Sequence, residues 1–135
     1  MTYTKPLPEK SAAAFPFWEA ANQDVLKIQR CLSCNTVQFY PRDLCHECWS
    51  KELEWVSCSG RATVYSYTIC RFPPYPGFEE DLPLVIAIVE LEEGVTMTTN
   101  IIDCDPEQVK IGMPVEVTFD HVNGDTTLVK FKPAS

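Results

Sequence analysis

The sequence predicts a mostly β fold in two parts: a small cysteine-pinned ribbon with a short helix ahead of it, then a five-stranded barrel. Two Cys-x-x-Cys pairs, Cys31/Cys34 and Cys45/Cys48, stand ten residues apart. After residue 53, short apolar runs separated by Gly, Pro and Asn-Gly punctuation have the length and spacing of strands. At 135 residues the chain is one ordinary domain or two very small ones. The expected division is a lead over 1–14, helix and ribbon over 15–52, and barrel over 53–135.

Residues 1–14 hold Lys5-Pro6-Leu7-Pro8 and three alanines, too little to bury alone, so the lead frays or wraps a partner. Phe17, Trp18, Ala21, Val25 and Ile28 roughly follow helical spacing, and Pro16 suits a first turn. A helix is expected from Phe17 to Gln23. Val25 to Arg30 then alternates as a strand leading into Cys31. For Phe15, Phe17 and Trp18 two readings stand side by side: a lid on the ribbon core, or a docking surface for another protein.

Paired knuckles are what a tetrahedral four-thiolate site requires. Two intervening residues let the chain turn so that both sulfurs face one ion, and the ten-residue separation suffices for a hairpin that brings the second pair opposite the first. Asn35 follows the first pair where left-handed backbone is often needed. Trp49 stands where many knuckles place Gly. Zinc is the default metal, and a rubredoxin-like iron site uses the same ligands. Two disulfides, or four unrelated buried thiols, are the alternative readings of these cysteines. His46, inside the second pair, reads as a bystander. Val37 to Arg42 reads as the returning arm of the ribbon.

Seven cysteines with no basic-apolar leader argue for a reducing, cytoplasmic setting, and no apolar run reaches membrane-spanning length. Cys58, Cys70 and Cys104 lie in or beside strand-like segments and read as small buried hydrophobes.

In the second part, residues 54–58 and 61–70 read as one long strand interrupted by a bulge or bend at Ser59-Gly60. Leu84 to Val89 is continuously apolar, as in a strand covered on both faces. Glu92-Glu93-Gly94 turns into a strand over 95–102. Asp105 can cap a helical turn opened by Pro106. Val115, Val117 and Phe119 alternate with polar residues, Asn123-Gly124 marks a hairpin, and 127–132 closes the sheet. Five strands, the first long and kinked, with a helical turn between the third and fourth, follow the order of an oligonucleotide/oligosaccharide-binding (OB) barrel. The first connection, 71–83, is stiffened by prolines and carries Phe72, Tyr75 and Phe78, which suit an interface or substrate-facing edge. Its Glu79-Glu80-Asp81 triplet reads as a solvated tip.

Charge divides the halves. Residues 1–52 carry six basic and six acidic side chains, whereas 53–135 carry five against thirteen, a net of −8. So acidic a barrel repels a phosphate backbone, which counts against the nucleic-acid role that a zinc ribbon joined to an OB barrel suggests by analogy. A redox carrier through an iron-loaded ribbon is a further alternative.

The chain resembles the acyl-CoA-associated zinc-ribbon/OB-fold proteins. The matching stretches are Phe17-Trp18-Glu19, Ile28-Gln29-Arg30-Cys31 with Cys34, Tyr40-Pro41-Arg42 before Cys45 and Cys48, 59–66, 89–94, 111–115 and 131–134, in order over nearly the whole length. Asn35, Trp49 and Ala62 depart mildly, standing where Gly is usual or common. The resemblance implies a non-catalytic accessory subunit of a thiolase-like or aldolase-type acyl-CoA enzyme, whose partner carries the catalytic residues. It also implies that acyl-CoA is enclosed at a shared interface. No catalytic motif carries over. Arg61 and Arg71, at the two ends of one barrel strand, are candidates to face CoA phosphates; surface solubility or partner salt bridges are the alternative.

Overall fold

The computed structural model describes residues 11–39, 41–72, 82–122 and 125–134. The lead up to residue 10, the Asn123-Gly124 turn, Tyr75 and Phe78 lie outside the described residues, as does most of the 71–83 connection.

Helix α1 spans Phe15–Asn22, with Pro16 in its first turn and Phe17, Ala20 and Ala21 buried. It stops one turn short of the Val25 and Ile28 positions because Asp24 adopts φ 62°, a left-handed conformation that ends helical spacing. Strand β1, Lys27–Cys31, follows. It lies between β2, Val37–Gln38, and β3, Leu53–Ser57, in an antiparallel sheet ordered β2-β1-β3.

That pairing corrects one expectation. Residues 53–57 do not continue into the barrel's first strand; they register on β1, with Ile28 opposite Val56 and Cys31 opposite Leu53. The chain passes between sheets at Gly60, which takes φ +86° and accepts a 2.8 Å hydrogen bond from the Val117 N–H. A Cβ at Gly60 would sit 2.6 Å from Val117 Cγ1, so only glycine fits this bend.

The barrel comprises β4 (Arg61–Cys70), β5 (Leu84–Leu91), β6 (Thr96–Ile101), β7 (Pro114–His121) and β8 (Thr127–Pro133). It closes in the order β4-β5-β6-β8-β7, with only β6 and β8 parallel. A 3-10 turn at Pro106–Gln108 separates the third and fourth strands, capped by the Asp105 carboxylate accepting from the Glu107 N–H at 3.0 Å. This is the expected five-stranded OB architecture. β5 is not covered on both faces as its apolar run suggested. Its burial alternates, leaving Ile88 38% exposed on the outer barrel wall.

One core serves both parts. Phe17, Leu26 and Ile28 pack into the same cluster as Val64, Val89, Leu91, Val115 and Phe131. Helix α1 is tied to the barrel as well as to the ribbon. Thr127 Oγ1 donates to Asn22 Oδ1 at 2.8 Å, and the imidazole of His121 lies between Asp24 Oδ1 (2.6 Å) and Thr127 Oγ1 (2.8 Å). Among the described residues, no helix is long and apolar enough to cross a membrane.

Candidate metal centre

The two knuckles are built alike. In each, the first cysteine's N–H bonds to the carbonyl five residues on, Cys31 to Thr36 and Cys45 to Ser50, both at 2.9 Å. Its carbonyl accepts from the residue four on, Asn35 or Trp49, again at 2.9 Å. Those two residues take φ 64° and 63°. Asn tolerates this conformation; a bulky Trp adopts it only where the surroundings enforce it. The turn also aims amides at sulfur: Ser33 N–H lies 3.3 Å from Cys31 Sγ, and Glu47 N–H 3.4 Å from Cys45 Sγ.

As a result, the Sγ atoms of Cys31, Cys34, Cys45 and Cys48 all lie within 4.8 Å of one another. The cross-knuckle pairs Cys31–Cys48 and Cys34–Cys45 stand at 3.5 and 3.6 Å. A zinc–sulfur bond of ~2.3 Å sets tetrahedral sulfur–sulfur edges of ~3.8 Å, so these separations fit a metal and are far too long for disulfides. All seven cysteines are free thiols.

Electrostatics agrees with a cation at the centre. The Thr36 hydroxyl, 3.1 Å from Cys34 Sγ, and then the Thr36 amide bring the Cys34 thiol down to about 6. Hydrogen bonds from the Cys34 and Ser33 amides lower Cys31. At Cys48 the Ser50 amide pulls the same way, but the Cys31 thiolate and burial outweigh it and push the thiol up to about 12. Four anions cannot share so small a space unless a cation offsets them. Four protein thiolates leave a tetrahedral ion no open position, the pattern of a structural site.

Behind the second knuckle lies a buried amide pair that the sequence did not single out. Gln29 and Gln38 are each 4% exposed. Gln38 Nε2 donates to Gln29 Oε1 at 2.7 Å, and Gln29 exchanges two 2.8 Å hydrogen bonds with the Arg42 backbone. Gln38 Oε1 accepts from the His46 N–H at 3.0 Å and lies 2.7 Å from His46 Nδ1. Because an amide oxygen can only accept, Nδ1 carries the proton. His46 thus orders the knuckle from outside the sulfur cluster. No pattern in the sequence marked either glutamine, because alternation along β1 places Gln29 on the face of Lys27 and Cys31 rather than in an apolar series.

Among the described residues, the other expected site residues fall at separate places in the fold. Phe17 is 5% exposed, edge-on to Trp18 (5.1 Å) and Phe39 (5.4 Å), so it belongs to the core and is no free docking residue. Phe15 (52%) and Phe72 (82%) are exposed, and Trp18 is half-buried. Arg61 forks onto Glu92 at 2.9 and 3.3 Å, and Arg71 pairs with Glu107 at 2.5 Å. They stand ten positions apart along extended chain, ~33 Å, so they cannot meet on one phosphate group. Cys58 is half-buried, and burial followed by the Glu93 carboxylate pushes its thiol up to about 12, which makes it inert.

A groove of about 560 Å³ runs between the α1–ribbon unit and the outer face of β5, β6 and β8. Trp18, Phe39, Ile88, Met97, Leu128 and Val129 give it apolar walls.

Residues 18–54 match the family described as "ChsH2, rubredoxin-like zinc ribbon domain", and residues 55–120 match "ChsH2, C-terminal OB-fold domain". A "DUF35 domain-containing scaffold protein" of Methanocaldococcus jannaschii is 44% identical over 111 residues, 77% of this chain and 78% of that protein. The "Probable enoyl-CoA hydratase alpha subunit" of Thermomonospora curvata is 41% identical over 87% of this chain, which spans only 37% of that protein's length. Among solved structures, a chain of the "Ltp2-ChsH2(DUF35) aldolase" superposes with a TM-score of 0.85 at 38% identity, covering 95% of this chain and 99% of the other.

Proposed function

The chain belongs to the ChsH2-type zinc-ribbon and OB-fold proteins, the DUF35 scaffold family, and on that premise we propose that it is a non-catalytic accessory subunit. It binds a thiolase-like or aldolase-type partner and supports thiolytic or retro-aldol/Claisen-type chemistry on an acyl-CoA substrate. The carrying observation is the near-complete superposition on one chain of a two-component aldolase. Similarity to a hydratase alpha subunit points to the same CoA-ester chemistry.

Within that reading, Cys31, Cys34, Cys45 and Cys48 hold zinc as a structural ion, replacing the core that so short a ribbon cannot build. Phe15, Trp18 and Phe72 face the partner. The apolar groove has the volume and lining for an acyl group enclosed at the shared interface. Arg61 and Arg71 serve separate charged groups, each releasing its glutamate to do so.

Co-purification from the native host, with the companion subunit identified by mass, tests the reading. Recovery of a thiolase-like or aldolase-type enzyme in fixed stoichiometry, and a gain in its acyl-CoA turnover on adding the purified chain, is expected. A companion outside CoA chemistry would overturn the proposal.

A further inference from the structure

Strand β4 is longer than the barrel needs. On one side it pairs with β5 along nearly its whole length, from Ala62 opposite Leu91 to Cys70 opposite Leu84. On the other, β7 pairs only with Arg61, Ala62 and Thr63. Val64 adds two bonds, from its N–H to the Met113 carbonyl (3.0 Å) and from the Gly112 N–H to its own carbonyl (2.7 Å). A bulge then falls between Val64 and Ser66. Past it, no described residue pairs the outer edge of β4.

The first four residues of this edge stand clear of the core, while Ile69 packs against it. Residues 65–68 are all exposed, where the first part of β4 alternates. Tyr65 is 61% and Tyr67 36% exposed. The segment reads Tyr65-Ser66-Tyr67-Thr68-Ile69-Cys70, without a charge, a proline or a glycine. Free edges normally carry such features to block pairing with other chains, and a run this rich in aromatic and β-branched residues invites it. Among the described residues, nothing protects this edge.

We propose that the outer edge of β4 at residues 65–70 is where the acyl-CoA enzyme partner adds an extended strand to the barrel. Backbone hydrogen bonds would supply affinity and the two tyrosines side-chain selectivity. This rests on the accessory-subunit reading and deepens it. Charge selects the occupant. The barrel half carries thirteen acidic side chains against five basic ones. A second copy would bring two barrels of net −8 edge to edge. A partner strand with an uncharged middle and a basic surround is complementary to the uncharged 65–70 run on a barrel of net −8.

The test uses the intact chain and the companion enzyme subunit recovered from the host, each purified. Amide hydrogen exchange at residues 66–70 is measured free and in the complex, with Thr68→Lys to block the edge and Gln23→Lys, at the exposed residue that follows α1, as a charge control. Exchange at 66–70 should slow at least tenfold on binding. Thr68→Lys should weaken the complex about tenfold or more while Gln23→Lys leaves it unchanged. A complex that forms with unaltered exchange at 66–70, or one that Thr68→Lys binds as tightly, overturns the edge assignment and leaves the accessory role standing. Failure of the chain to bind any acyl-CoA enzyme overturns both. A concentration-dependent dimer of the chain alone, abolished by Thr68→Lys, gives the edge to a second copy and also overturns the proposal.

Discussion

Replacing Gly60 with alanine probes the point where the chain leaves the ribbon sheet for the barrel. Two costs add. At φ +86° a Cβ crowds its own carbonyl, costing ~1–2 kcal/mol. The same Cβ would stand 2.6 Å from Val117 Cγ1, on a strand whose amide is bonded to the Gly60 carbonyl, so neither side retreats freely. Overpacking of that kind costs ~1–3 kcal/mol. The sum, about 2–5 kcal/mol, is a large part of the 5–15 kcal/mol that holds a typical domain. Gly94 supplies the control, with φ +99° and nothing within 4 Å of its would-be Cβ, so Gly94→Ala carries the backbone cost alone. Equilibrium urea unfolding followed by tryptophan fluorescence reads both midpoints. Gly60→Ala should lose at least 1 kcal/mol more than Gly94→Ala, and Val117→Ala in the Gly60→Ala background should recover part of the difference. Equal losses at the two glycines, or no recovery, would refute the hand-over geometry.

Cys31→Ser and Cys45→Ser should each release the bound metal and loosen the ribbon, read as metal per chain by elemental analysis; full stoichiometry in both would count against the four-thiolate site. Gln38→Leu strips the His46 amide and Gln29 of a buried partner, a loss of about 1–3 kcal/mol, and should speed metal transfer to a chelator while leaving one ion per chain; an unchanged rate would remove the amide pair from the account. Cys58, with its thiol pushed up to about 12, should resist alkylation at pH 8 until the chain unfolds. Because the unfolded thiol ionises first, the stability Cys58 contributes is present below ~8.5 and should decline as pH rises past it. Arg61→Ala and Arg71→Ala, tested singly, should each weaken acyl-CoA affinity of the complex if each meets its own charged group; two unaltered affinities would reduce both to their pairs with Glu92 and Glu107.

The cysteine quartet was legible because its geometry is local: residues three apart within a knuckle can face one ion whatever the rest of the chain does. Period-two strands such as β7 were legible for the same reason. The partnership of β3 was not. Leu53–Ser57 and Arg61–Cys70 both look like strands, and nothing local says that one pairs with β1 and the other with β5. The apolar run of β5 implied cover on both faces because it did not reveal the groove into which Ile88 points its side chain. The aromatic cluster before the ribbon was visible as a cluster, but which ring goes inward depends on helical phase, and that phase buried Phe17 while leaving Phe15 in solvent. Gln29 and Gln38 were invisible because a buried glutamine declares itself only through its partners.

Acyl-CoA turnover tests the central claim most directly, measured with the purified chain alone, the purified companion subunit alone, and the two recombined at equal concentration. No turnover is expected from this chain, with activity residing in the companion and rising when the chain is restored. Enzyme-like turnover of a CoA thioester by this chain in isolation would contradict it.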